Sequence, residues 1–338
     1  MTRIPSPHRS VQCLWLALLT GVVWPAAAVE SGAEARMLLT KMSEATRSLS
    51  YHGTFVSMRG SRVSMMRIVH RGEAGGERER LISLMGPAKE VLRRNDEVTC
   101  IFPRDRAVVV DKRPPRQILG ATLSRPVESL AAYYDFSVLG GDRIAGRPAS
   151  VVGIAPKTPD RYGYRLWVDS ESDLLLKSEV IDGGGEVIEQ VLFTDLKVRS
   201  RIPEAWLEAG ISGQGYSWYT GAKHIAAAAL SSGQWPKGQW QVRWIPPGFM
   251  MQEDQARAMA DGTEPVKHAV YSDGLASVSV FTEKATEATE RIEDHASMGA
   301  LNSYSTWADG YQVTVLGEVP ATTVRQIAAS VAFVPARP

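Results

Sequence analysis

The chain has 338 residues, with 38 Lys and Arg against 37 Asp and Glu, for a formal net charge of +1. That balance argues against bulk nucleic-acid binding through a basic surface. The length is enough to bury a large core and, at usual domain sizes, points to two domains.

Residues 1–28 read as a secretory signal. Arg3 and Arg9 form the basic start, Val11 to Val23 the apolar stretch, and Ala26-Ala27-Ala28 the small-residue cleavage site, placing the mature start at Val29. A retained anchor is the other reading, but the apolar run falls short of the roughly 20 residues a spanning helix needs. Cleavage removes two arginines and no acid, leaving 36 basic and 37 acidic residues and a net charge of −1. Cys100 is then the remaining cysteine, so no intrachain disulfide forms. Inside Val98–Phe102 it reads as a small buried hydrophobe, and nothing near it in sequence would lower a thiol pKa.

A helix opens the mature chain, with Ala35, Leu38, Leu39, Met42, Ala45 and Leu49 at three- and four-residue spacing. Strands follow. Tyr51–Met58 and Ser61–Val69 flank the break at Arg59-Gly60. His70–Glu79, polar and Gly-containing, reads as an exposed loop. Short runs at Leu81–Met85, Lys89–Arg93, Val98–Phe102 and Ala107–Asp111 continue a meander that Pro114-Pro115 ends. Val127–Tyr134 reads as a short helix. Ala149–Ala155, Tyr162–Asp169, Leu174–Asp182 and Glu186–Val198 read as strands, the last two joined by a Gly183-Gly184-Gly185 hairpin. Residues 29–200 therefore form one domain, a helix with a large antiparallel sheet, either α+β or a partly open barrel. Residues 201–235 lose the strand rhythm and read as an interdomain connection. A second unit, residues 236–335, holds strands at Gln239–Ile245, Lys267–Tyr271, Ala276–Glu283 and Tyr311–Glu318 and a helix at Ala321–Val331.

The sequence carries few chemical motifs. The mature chain has five histidines, none at zinc spacing with a cysteine or carboxylate. There is no Gly-x-Ser-x-Gly elbow, and the glycines at 210, 213 and 215 lack the strand and lysine of a phosphate loop. Asp169-Ser-Glu171-Ser-Asp173 alternates acids but lacks the glycine and final glutamate of a calcium loop, so it reads as a polar turn. No metal, cofactor or enzymatic activity is implied.

Charge and aromatics are unevenly placed. Gly53 to Arg125 holds fifteen Lys or Arg against eight acids. Arg93, Arg94, Arg104, Arg106, Arg113 and Arg116 fall at strand ends and turns. They are either a solvated face or a cationic rim for an anionic headgroup, since Arg suits phosphate and carboxylate. Tyr51, Phe55, Met65, Tyr162 and Trp167 are candidates to line a concave sheet for acyl chains, with core packing as the alternative. Trp206, Trp218, Trp235, Trp240 and Trp244 cluster around the proposed connection, where they pack the domains together or meet a partner.

Several blocks carry a family resemblance. In the C-terminal unit these are Trp244-Ile-Pro-Pro-Gly-Phe249, the run Val270–Phe281 with Ser272-Asp-Gly-Leu-Ala276 inside it, Val313–Pro320 and Val324–Ala328. In the first domain they are Leu49-Ser-Tyr-His-Gly-Thr-Phe55 and Arg165-Leu-Trp-Val-Asp169. Together they resemble the MucB/RseB family of periplasmic regulators across the mature chain. The resemblance implies an N-terminal domain similar to LolA and LolB, an unclosed antiparallel β-barrel with helices, and a smaller C-terminal α+β domain. It implies a periplasmic protein that binds the periplasmic domain of a MucA/RseA-type anti-sigma factor and shields it from the first protease of envelope-stress signalling. Release by lipopolysaccharide or lipoprotein acyl chains is implied too. Trp218, Trp240, Trp244, Phe249, Tyr271 and Asp273 are the candidates for partner binding. A lipid or lipoprotein carrier is the alternative, and homo-oligomerisation stays open.

Overall fold

The computed structural model describes residues 26–112, 123, 125–220, 238–257, 266–284 and 294–335. Residues 1–25 of the expected signal, Arg113, Arg116 and Trp235 lie outside them. Helix α1 runs Ala26–Ser48 and buries Ala35, Leu39, Met42 and Ala45 along one stripe, the pattern of an amphipathic helix against a core. No helix among the described residues is long and apolar enough to cross a membrane.

Among the described residues twelve strands form the first sheet: β1 Ser50–Arg59, β2 Arg62–Glu73, β3 Gly76–Ser83, β4 Glu90–Arg94, β5 Glu97–Phe102, β6 Ala107–Lys112, β7 Tyr134–Ile144, β8 Arg147–Pro156, β9 Gly163–Asp169, β10 Leu175–Ile181, β11 Val187–Arg199 and β12 Ser217–Thr220. Their order is β12-β6-β5-β4-β3-β2-β1-β11-β10-β9-β8-β7, so among the described residues β12 and β7 are the edges and the sheet is not closed. Every pair is antiparallel except β12 on β6. Strand alternation sends Tyr51 and Phe55, with their cross-strand partners His70 and Met66, to the inner face. There Phe55 meets Phe193 edge-on at 6.0 Å, and Leu39 of α1, Ile68, Leu81, Leu166 and Leu176 complete one core. These buried side chains cluster into one packed group on the inner face.

Two expectations fail here for physical reasons. His70–Glu79 is a hairpin, not a loop, because its polar groups are satisfied within the sheet. His70 stacks on Tyr51 at 4.7 Å and its Nδ1 lies 2.9 Å from the Leu49 carbonyl, while the Glu77 N–H donates to Asn95 Oδ1 at 3.0 Å. The expected helix Val127–Tyr134 stops early. Helix α2 is Val127–Leu130, and Tyr134 opens β7, a strand whose register shift between Val138 and Gly140 broke the alternation by which it would have been read.

Gly72 fixes the angle of α1. A Cβ there would lie 2.2 Å from the Ser48 carbonyl oxygen, so the last helical turn rests directly on β2. Gly72→Ala is expected to cost about 1–3 kcal/mol by overpacking. Urea unfolding checks this, with Gly75→Ala, which meets nothing within 4 Å, as the neutral control.

Residues 201–216, expected to belong to a connection, cross the outer face of the first sheet. Ile202 and Leu207 bury Val69, Glu204 pairs with Arg71 at 2.9 Å and with Arg78, and the Gly210 N–H donates to Glu90 at 2.9 Å. Strand β12 then extends the sheet.

The second unit has strands β13 Gly238–Val242, β14 Met250–Arg257, β15 Val266–Ser272, β16 Ser277–Lys284, β17 Asp294–Met298, β18 Leu301–Ala308, β19 Tyr311–Gly317 and β20 Val331–Pro335, with helix α3 at Ala321–Ser330. Six of them form one antiparallel sheet, β14-β15-β16-β19-β18-β17, and β13 pairs with β20. The expected final helix ends one residue early, since Val331 turns extended to start β20. Val278, Val280, Val313, Val315, Val324 and Ile327 form its core.

Candidate functional site at the domain seam

The two motifs of the second unit meet around one arginine of the first. Arg161 leads into β9 and is buried, as is Asp273 in the turn after β15. Arg161 Nη1 donates to Asp273 Oδ2 at 3.0 Å, Nη2 donates to the Pro247 carbonyl at 2.6 Å, and Nε donates to Asp160 at 3.1 Å. Its guanidinium lies over the rings of Tyr133, Tyr134 and Phe249 at 5.2, 5.4 and 5.4 Å. Delocalised charge and a flat face make Arg the cation for such a place. Tyr134 donates to the same Asp273 oxygen at 2.8 Å. Burial, and then the Asp273 charge beside it, push the Tyr134 phenol up, so it stays neutral and donates. The other Asp273 oxygen accepts the N–H groups of Leu275 and Ala276, each at 2.9 Å.

The second unit's backbone comes close at three glycines with positive φ. A Cβ at Gly248 would meet the Tyr133 ring at 2.4 Å, one at Gly274 the Arg125 Cβ at 3.0 Å, and one at Gly299 the Arg59 Cβ at 3.2 Å. Arg125 also donates to the Gly248 carbonyl at 3.1 Å. Further along, Asn302 donates to the Tyr162 hydroxyl at 2.9 Å and Thr323 to the Asp160 carbonyl at 3.0 Å. Leu275 and Ala300 leave their own unit and pack in the first core. The motif Ser-Asp-Gly-Leu-Ala is thus a docking turn, and Ile-Pro-Pro-Gly-Phe is its neighbour on the same arginine.

Sequence models of the MucB/RseB N-terminal and C-terminal domains match residues 34–211 and 234–332. The chain belongs to the MucB/RseB family. The sigma factor AlgU regulatory protein MucB of Pseudomonas aeruginosa is 33% identical over 322 residues, covering 94% of this chain and 96% of MucB. The sigma-E factor regulatory protein RseB of Escherichia coli strain K12 is 27% identical over 325 residues, covering 95% and 98%. A crystal structure of MucB in complex with MucA(peri) matches with a TM-score of 0.68 at 31% identity, covering 89% of this chain and all of that one. The MucA/MucB complex of Pseudomonas aeruginosa matches with 0.70 at 30%, covering 90% and 100%.

In this MucB/RseB chain the pleat sorts the expected lipid set. Tyr51 and Phe55 are inside the first core. Met65 pairs with Val56 on the outer face, and its neighbour Met66 is the residue opposite Phe55. Trp167 is also buried in that core, lies opposite Lys177, whose Nζ sits 4.1 Å above its ring, and donates to Asp142 at 2.8 Å. Tyr162 is at the seam. The arginines divide likewise. Arg93 pairs with Val98 and Glu79 on the inner face, and Arg94 pairs with Arg78 on the outer one. Arg104 is exposed in the turn between β5 and β6, and Arg106 there donates to the Gly215 carbonyl at 3.2 Å.

The partner set is at three places. Trp218 is 58% exposed on edge strand β12. Trp240 is in the second core, 5.1 Å from Tyr311, with Tyr271 in the same core and Trp244 packed against it. Phe249 and Asp273 are at the seam. Arg161, Tyr134, Tyr133, Arg125 and Asn302 were missed by sequence reading. The signal available for Arg161 was weak: a charged residue between Asp160 and Tyr162, just before a strand otherwise read as buried.

Two glutamates on the inner face of β3 titrate in opposite directions. The hydrogen bond with His70 at 3.4 Å lowers Glu77, whereas burial raises Glu79. Glu77's stabilising share is complete above the ordinary glutamate range and is lost as pH falls through its lowered folded value. A carboxyl-carbon NMR titration is expected to place the Glu77 midpoint below that of Glu79. The reverse order would show that His70 does not hold Glu77.

Proposed function

We propose that this chain is a periplasmic regulator of a sigma factor. It binds the periplasmic domain of a MucA/RseA-type anti-sigma factor and shields it from the first proteolytic step. The observation that carries this reading is the near-full-length similarity to a MucB solved with MucA(peri). Its work is binding rather than chemistry. Trp218, on the open edge of the first sheet, is a partner residue that a bound segment can reach directly. Tyr271, Trp240, Trp244, Phe249 and Asp273 act by shaping the second unit and its docking.

Release follows from lipopolysaccharide or mislocalised lipoprotein binding the first domain. Acyl chains would enter among Tyr51, Phe55 and Met66 by displacing α1 from the open sheet, with an exposed strand-end arginine such as Arg104 taking the phosphate. The second reading, a carrier of the LolA type, is favoured by that same unclosed sheet around a helix. Affinity capture with the tagged mature chain from detergent-solubilised envelope separates them. Recovery of a single-span anti-sigma factor, lost on adding lipopolysaccharide, supports the regulator. Recovery of lipid or lipoprotein without that partner supports the carrier.

A further inference from the structure

We propose that the Arg161–Asp273 pair is a lock that fixes the second unit on the first, and that partner capture depends on it although neither residue meets the partner. This rests on the regulator reading above. Side-chain exposures of 1% and 0% put both residues out of a partner's reach in the docked arrangement. Their charges nonetheless cross the seam, and a buried charge is tolerated only while its partner is in place. Docking is therefore close to all-or-none. A small parting of the units would strip Asp273 of both Arg161 and Tyr134, and Arg161 of the Pro247 carbonyl and the Phe249 ring.

The rest of the seam supports a two-position joint. Among the described residues the second unit places Leu275 and Ala300 in the first core, lays its backbone on side chains of the first unit at Gly248, Gly274 and Gly299, and bonds across through Asp273, Asn302 and Thr323. Directional bonds of this kind hold one relative position, because each is lost once its donor and acceptor part. A partner whose binding surface spans both units, or one unit in a set orientation, gains affinity from the lock. A ligand that favours the open position lowers that affinity by the same coupling.

The test uses the full mature chain with Cys100→Ser and a reporter cysteine pair, Arg59→Cys with Gly299→Cys. Cβ atoms at those positions would be 3.2 Å apart, near the roughly 3.5–4.5 Å of a disulfide. Asp273→Asn is introduced into this background, and Arg161→Lys serves as the milder second variant. Cross-linking rate and affinity for purified MucA(peri) are measured reduced and oxidised. The lock predicts that either variant, while reduced, cross-links more slowly and binds about tenfold or more weakly. It also predicts that oxidation returns the affinity to that of the parent. An unchanged cross-linking rate overturns the proposal. So does a loss of affinity that the closed disulfide fails to restore, because Asp273 would then act at the partner surface itself. If the parent does not bind MucA(peri), the regulator reading fails, while the cross-linking rates still decide whether the pair locks the seam.

Discussion

Arg161→Met is expected to destabilise the protein by about 3–5 kcal/mol, because it leaves the Asp273 carboxylate buried without its cation. The side chain removed also carries the bond to the Pro247 carbonyl and the stacking on three rings. Methionine keeps the length of the stem, so the loss reads the charge more than the packing. Asp273→Asn preserves the acceptor for Leu275 and Ala276 and removes the negative charge. The double variant Arg161→Met with Asp273→Asn is therefore expected to cost less than the two singles added, by about 1–3 kcal/mol. Urea unfolding of the four proteins measures this directly. Additive losses would mean that the two groups are held independently and that the pair contributes nothing as a pair.

Phe193→Ala is the counterpart inside the first domain. The ring is buried against Phe55 at 6.0 Å, in the core that α1 closes. Truncation is expected to cost about 3–5 kcal/mol through lost transfer energy and the cavity left behind. Val187→Ala, on an exposed stretch of the same strand, is expected to change stability by less than about 0.5 kcal/mol. A comparable loss at both positions would mean that the inner face is not the packed one.

The contrast between those two positions shows what was legible in the sequence. Helix α1 and the strands with clean alternation could be read because their burial repeats at the period of the element. Strand β7 could not, because its register shift interrupts the period. The hairpin at His70–Glu79 failed for a different reason. Its residues are polar, and what makes them strand is a stacked tyrosine and a helix-end carbonyl supplied from elsewhere in the chain.

Placement of site residues followed the same logic. Asp273 and Phe249 were singled out from motifs, but their meaning depends on Arg161, more than 80 positions earlier. No local pattern announces such a pair. Arg93 and Arg94 show what the strand period adds, since neighbours on one strand point to opposite faces and the two cannot share one. The same rule separates Met65 from Phe55. The resemblance to a family identified the chain, while the pleat and the seam decide which side chains act together.

Leu275 and Ala300 sit in a core whose other described members all precede residue 200. During synthesis the first domain emerges well ahead of them. Its strands β1 and β11 already require pairing across more than 120 residues of chain, a slow step in itself. Until the docking turn arrives, the domain must wait with part of its apolar interior uncapped, in a state open to aggregation or to a chaperone's hold. The two units are therefore two domains in architecture but a single cooperative act in assembly. A fragment ending at residue 220 would inherit the sheet without its final apolar plug.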